Sequence, residues 1–83
     1  MSQTTQDLKK EIDKSLELMR TLRDEVRVKL HLAGMDAKEE WRKLEPRLDE
    51  VERAAAAATE ATKGAVADAV KAVTKLREKL SSH

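Results

Sequence analysis

Cysteine, phenylalanine and tyrosine are absent from this sequence of 83 residues, and tryptophan occurs once, at Trp41. Without cysteine there is no disulfide, no thiolate metal ligand and no cysteine nucleophile, so a stapled secreted miniprotein is excluded. Glycine occurs twice and proline once. That is too few for the closely spaced turns of a sandwich or barrel, and the aromatic residues that favour strands are nearly missing. Neither sign of charge dominates: 17 Lys and Arg stand against 16 Asp and Glu, a formal net charge of +1. A protein that works by neutralising phosphates normally carries a basic excess. Long apolar runs are missing as well. The longest uncharged stretches, such as residues 54–59, are too short and too weakly apolar to cross a bilayer. The polar start, residues 1–8, lacks the apolar core of a secretion signal. A cytoplasmic location is the expectation left by these exclusions.

What is present is an alanine-, leucine-, glutamate-, lysine- and arginine-rich chain, 40% charged, the composition of long helices and coiled coils. Leu8, Ile12, Met19, Leu22, Val26, Leu30 and Ala33 recur at steps of three, four and once seven, with Leu16 on the flank. This spacing predicts a first helix over about residues 5–33, with Thr4 as its cap and Asp7 as the acidic partner three residues on. Gly34 suits the left-handed position that ends a helix. Asp36 and Glu39 read as a new capping box that opens the next one. A tight turn at 34–35 and an antiparallel helical hairpin follow, with residue i facing about residue 70 minus i.

The second stripe runs Ala37, Trp41, Leu44, Leu48, Val51, Ala55, Ala58, Thr62 and continues as Ala65, Ala69, Val73, Leu76 and Leu80, widened by Val66 and Val70. Pro46 lies within it. An internal proline removes one hydrogen bond and crowds the carbonyl four residues back, at a cost of ~3 kcal/mol. The stripe keeps phase across Pro46, which predicts a kink and not a stop. Gly64 is the one later interruption, and its neighbours Thr62, Lys63, Ala65 and Val66 are not turn residues. The favoured reading is one long second helix over about residues 36–80, in a single domain. The alternative is a turn at Gly64 and a three-helix bundle.

Chemistry-bearing patterns are sparse. His31 has Arg27, Val28, Gly34 and Met35 at the offsets where a helical metal site needs ligands, and His83 is terminal. The acidic pairs Asp24-Glu25, Glu39-Glu40 and Asp49-Glu50 are sequence neighbours, which do not face each other on a helix. No phosphate-binding glycine loop, calcium loop or nucleophile elbow occurs. An enzyme, a cofactor and a metal are therefore not expected. A surface or interface histidine is the expected role of His31.

The informative patch is Val28, Leu32 and Met35. At about 100° per residue these fall on the far side of the helix from Val26, Leu30 and Ala33, so the hairpin tip is apolar all round. Trp41 reads as the anchor near Val28 and Leu30, with a second role as a contact residue. The small side chains at Ala55 and Ala58 permit close helix approach. Together with Val66, Val70, Val73 and Leu76 on an overhanging second helix, these residues are the expected interface of a homo-oligomer, a dimer being simplest, or of a helical partner.

Residues 65–81 also form an amphipathic segment with Lys71, Lys75 and Lys79 opposite the apolar face. This Ala- and Lys-rich half resembles surface-coating helical proteins such as phasins and apolipoprotein-like chains. The resemblance implies peripheral binding to a lipid or hydrophobic polymer surface, with those lysines as anionic contacts. The leading expectation is a non-enzymatic, self-associating helical module. Surface binding through residues 65–81 is the alternative, and architectural nucleic-acid binding is a weaker one.

Overall fold

The computed structural model describes residues 5–81, which form three packed α-helices with no strand among them. The expected Thr4 cap and His83 lie outside the described residues. Helix α1 spans Thr5–Leu30, α2 spans Met35–Ala54 and α3 spans Glu60–Ser81.

The first stripe forms as its spacing requires. Leu8, Ile12, Leu16, Met19, Leu22 and Val26 are all buried. Helix α1 stops at Leu30, short of the expected Ala33. Leu32 N–H donates to the Lys29 carbonyl (3.2 Å) and Ala33 N–H to that of Leu30 (3.1 Å), which tightens the last turn and satisfies carbonyls that an α-helix end leaves free. Gly34 then adopts extended backbone, φ −74° and ψ 173°, and is the residue that caps α2. Two expectations are corrected here. Gly34 is not left-handed, and Asp36 does not cap α2, because the helix already starts at Met35. Asp36 sits instead in the first turn, where its charge complements the helix dipole.

Pro46 lies inside α2 and does not end it. The long second helix over 36–80 is not formed, however. Helix α2 ends at Ala54 and the chain turns over residues 55–59, not at Gly64, which lies inside α3. The cap responsible is Thr59, whose Oγ1 accepts from the Thr62 N–H at 3.1 Å. Lys63 N–H donates to the Thr59 carbonyl at 3.0 Å, the first helical bond of α3. The buried Thr62 hydroxyl shares a 2.9 Å hydrogen bond with the Thr59 hydroxyl and reaches the Ala54 carbonyl at 3.5 Å. Alanine is the best helix former, so propensity alone would carry the helix through residues 54–58. Folding back wins because it buries Val66, Val73 and Leu76, each worth about 1.5–3 kcal/mol.

Ion pairs record the helix directions. Arg20 faces Glu52, Arg23 faces Asp49 and Arg27 faces Glu45, so α1 and α2 are antiparallel, with residue i opposite 72 minus i. Glu11 pairs with Lys63 and Glu25 with Arg77, so α3 runs parallel to α1. The result is elongated, 45 × 20 × 16 Å. Helix α3 lies closest to α1. The α1 and α2 backbones approach least, and arginine side chains span the gap between them. The core joins Ile12, Met19 and Val26 of α1, Trp41 and Leu48 of α2, and Val66 and Val73 of α3.

Candidate functional site

The α1–α2 turn forms one end of the molecule, and three of the four exposed large apolar side chains among the described residues gather there. Val26 and Leu30 point inward on the α1 stripe. Val28, two residues from each, therefore points outward and is 70% exposed. Leu32 follows in the turn at 96% exposure and Met35 opens α2 at 80%. Their exposure is a direct consequence of the local geometry: the extended Gly34 starts α2 at Met35, so Met35 stands on its outer rim.

Beside these side chains is an open hollow of about 820 Å³. Leu32, Ala33, Met35, Ala37 and Leu80 supply its apolar wall, and Lys29, Asp36, Glu40 and Lys79 its charged rim. Lys79 Nζ donates to Glu40 Oε1 at 2.8 Å, which ties the end of α3 to α2. The hollow is thus built by all three helices, although it is entered from the turn. Leu18, half exposed on α1, lies outside it.

The three seams between helices differ in charge. On the α1–α2 seam, Arg23 contacts Asp49 at 3.1 Å, Glu52 at 3.5 Å and Glu45 at 3.7 Å. Arg27 donates to Glu45 at 2.8 Å, and that hydrogen bond raises its pKa further above the ordinary arginine range. On the α1–α3 seam, the hydrogen bond of Lys63 to Glu11, 2.8 Å long, raises the lysine pKa. The α2–α3 seam is a second groove floored by Leu44, Ala72 and Leu76. Lys43, Arg47 and Lys75 line it and take part in none of the ion pairs among the described residues.

The residues expected at an interface separate into two groups. Val28, Leu32 and Met35 come together on the surface. Trp41, Val66, Val73 and Leu76 are buried in this chain's own core, and Ala55, Ala58 and Val70 are packed against it. Trp41 packs into that core without covering Val28. The reason is that α3 occupies the apolar face of the hairpin, which an overhanging helix would have left open. Lys71, Lys75 and Lys79 are exposed, but the apolar face of residues 65–81 beneath them is turned toward α1 and α2. His31 is exposed in the turn.

Among the described residues no group of histidine and carboxylate side chains is arranged to hold a metal ion, and no helix is long and apolar enough to cross a membrane. Two residues important to the architecture escape the apolar pattern. Arg23 sits next to Leu22 on the buried side, and its signal is the spacing of Glu45, Asp49 and Glu52 on one face of α2. Thr59 is signalled by Thr62, three residues on, as reciprocal hydroxyl partners at a helix start. Comparison of the chain with protein-family models, with curated proteins and with solved structures finds no match.

Proposed function

We propose that this protein is a non-enzymatic helical interaction module that self-associates, end to end, through Val28, Leu32 and Met35. The observation that carries this reading is Leu32, 96% exposed beside an apolar hollow. One copy supplies both a knob and a recess, as a two-fold contact requires. The rim carries both signs, Lys29 and Lys79 against Asp36 and Glu40, so a rotated copy can set cation against anion. A two-fold contact covers three large apolar side chains on each copy, roughly 5–8 kcal/mol per chain when fully buried. Association itself costs a comparable amount, so the contact is weak and depends on concentration.

The test is size-exclusion chromatography with light scattering across a concentration range, paired with far-UV circular dichroism. The wild-type mass should rise with concentration. In protein that is never unfolded and is kept below the concentrations used for refolding, Leu32→Asp should hold the mass at that of one chain while leaving helicity unchanged. A wild-type protein that stays monomeric at every concentration, or a variant that associates equally well, overturns the reading.

A further inference from the structure

The apolar positions of α2 and α3 share one helical phase across the turn that separates them. Val51, Ala55, Ala58, Thr62, Val66 and Ala69 succeed one another at steps of three and four residues. A connection that served only to reverse the chain has no need to keep this phase. The connection itself also favours helix. Residues 54–58 are all alanine, and among the described residues no backbone has positive φ. Ala55 still has right-handed helical angles, φ −66° and ψ −12°. Straightening therefore needs dihedral changes only in the few residues that follow. Holding the reversal are the Thr59 cap and the Thr62 hydroxyl bonded back to Ala54.

What draws α3 back is the groove between α1 and α2, and a second copy of the chain offers the same groove. We propose that the 55–59 connection straightens into one helix running from α2 through α3, and that two copies then exchange α3, each α3 seated against the partner's α1 and α2. Exchange re-forms between chains every contact that α3 makes within one, including the pairs of Lys63 with Glu11 and Arg77 with Glu25. Only the turn differs between the two states, so chain concentration sets the balance. Val28, Leu32 and Met35 take no part, and the exchange does not depend on the end-to-end contact.

The test uses the full chain in the Leu32→Asp background, which removes the end-to-end contact. Lys43 and Lys75 line the same groove in the folded-back chain. In a continuous helix they lie ~48 Å apart, 32 residues at about 1.5 Å each. Spin labels at Lys43→Cys and Lys75→Cys are unique, because the chain has no cysteine. Labelled protein is refolded at high concentration with an excess of unlabelled chain, so that only distances within one chain are read. A dimer fraction with the long distance is expected, beside a monomer with the short one.

Thr59→Ala removes the cap from the folded-back state and should shift the balance toward the dimer, about fivefold per chain. The pair A56G and A57G weakens the continuous helix and should shift it the other way by at least tenfold. A dimer that keeps only the short distance overturns the proposal, as does a Thr59→Ala variant that forms no dimer.

Discussion

The Arg23 guanidinium lies 3.1 Å from Asp49 across the α1–α2 seam, with Glu45 and Glu52 also within 4 Å. Arg23 is only 8% exposed, whereas its partners reach solvent. Its aliphatic stem fills the gap where the two backbones approach least, and its head holds three carboxylates of α2 in line. Most of its value is therefore packing and register, because ion pairs with exposed partners are screened. Arg23→Met should stay within about 1 kcal/mol of wild type in urea unfolding. Arg23→Ala should lose about 1–2 kcal/mol. Equal losses in the two variants would mean that charge, not packing, dominates.

Gly64 provides a test of where the chain turns. It sits in the interior of α3, and a methyl group there meets nothing within 4 Å. Gly64→Ala should stabilise the protein by about 1 kcal/mol, raising the thermal midpoint by roughly 4–8 °C. A fall in the midpoint would contradict the helical assignment at this position.

Leu48 and Leu32 are the same residue type in opposite environments. Leu48 is fully buried among all three helices, and Leu32 is almost fully exposed. Leu48→Ala should cost about 2–5 kcal/mol. Leu32→Ser, measured at a dilution where the chain is monomeric, should change stability by less than about 0.5 kcal/mol. Denaturant midpoints of the two variants check the contrast. A large loss from Leu32→Ser would place that side chain in the core.

The Lys63–Glu11 pair predicts a dependence on alkaline pH. The lysine pKa is raised in the folded chain by its hydrogen bond to Glu11. A raised cationic pKa means that the folded state holds the proton more tightly than the unfolded one. The pair's contribution is thus complete below the unfolded lysine value, about pH 10. It disappears as pH rises through the higher folded value. The difference in thermal midpoint between wild type and Lys63→Gln should be positive at pH 8 and shrink above about pH 11. A difference that grows with pH would reverse the sign of the linkage.

The sequence by itself determined the helical class, the buried stripe of α1 and the inward positions of α2 and α3. Repeats of three and four place those residues on one face of a helix wherever the helix goes. It also determined the exposed position of Val28, which lies two residues from Val26 and from Leu30 on the opposite side. The hairpin register was legible to within two residues, because Gly34 marks the region where the chain reverses.

Only the tertiary structure decided that α3 folds back, and that Trp41, Val66, Val73 and Leu76 belong to this chain's own core and not to a surface awaiting a partner. Alanine at 54–58 favours helix, and the apolar phase runs unbroken from Val51 to Leu80, so local preference points to one long helix. The deciding contribution is nonlocal: the burial of α3 in the groove made by α1 and α2, secured at the turn by Thr59 and Thr62. Local periodicity records which side of each helix is apolar. It does not record which helix, or which copy of the chain, covers that side.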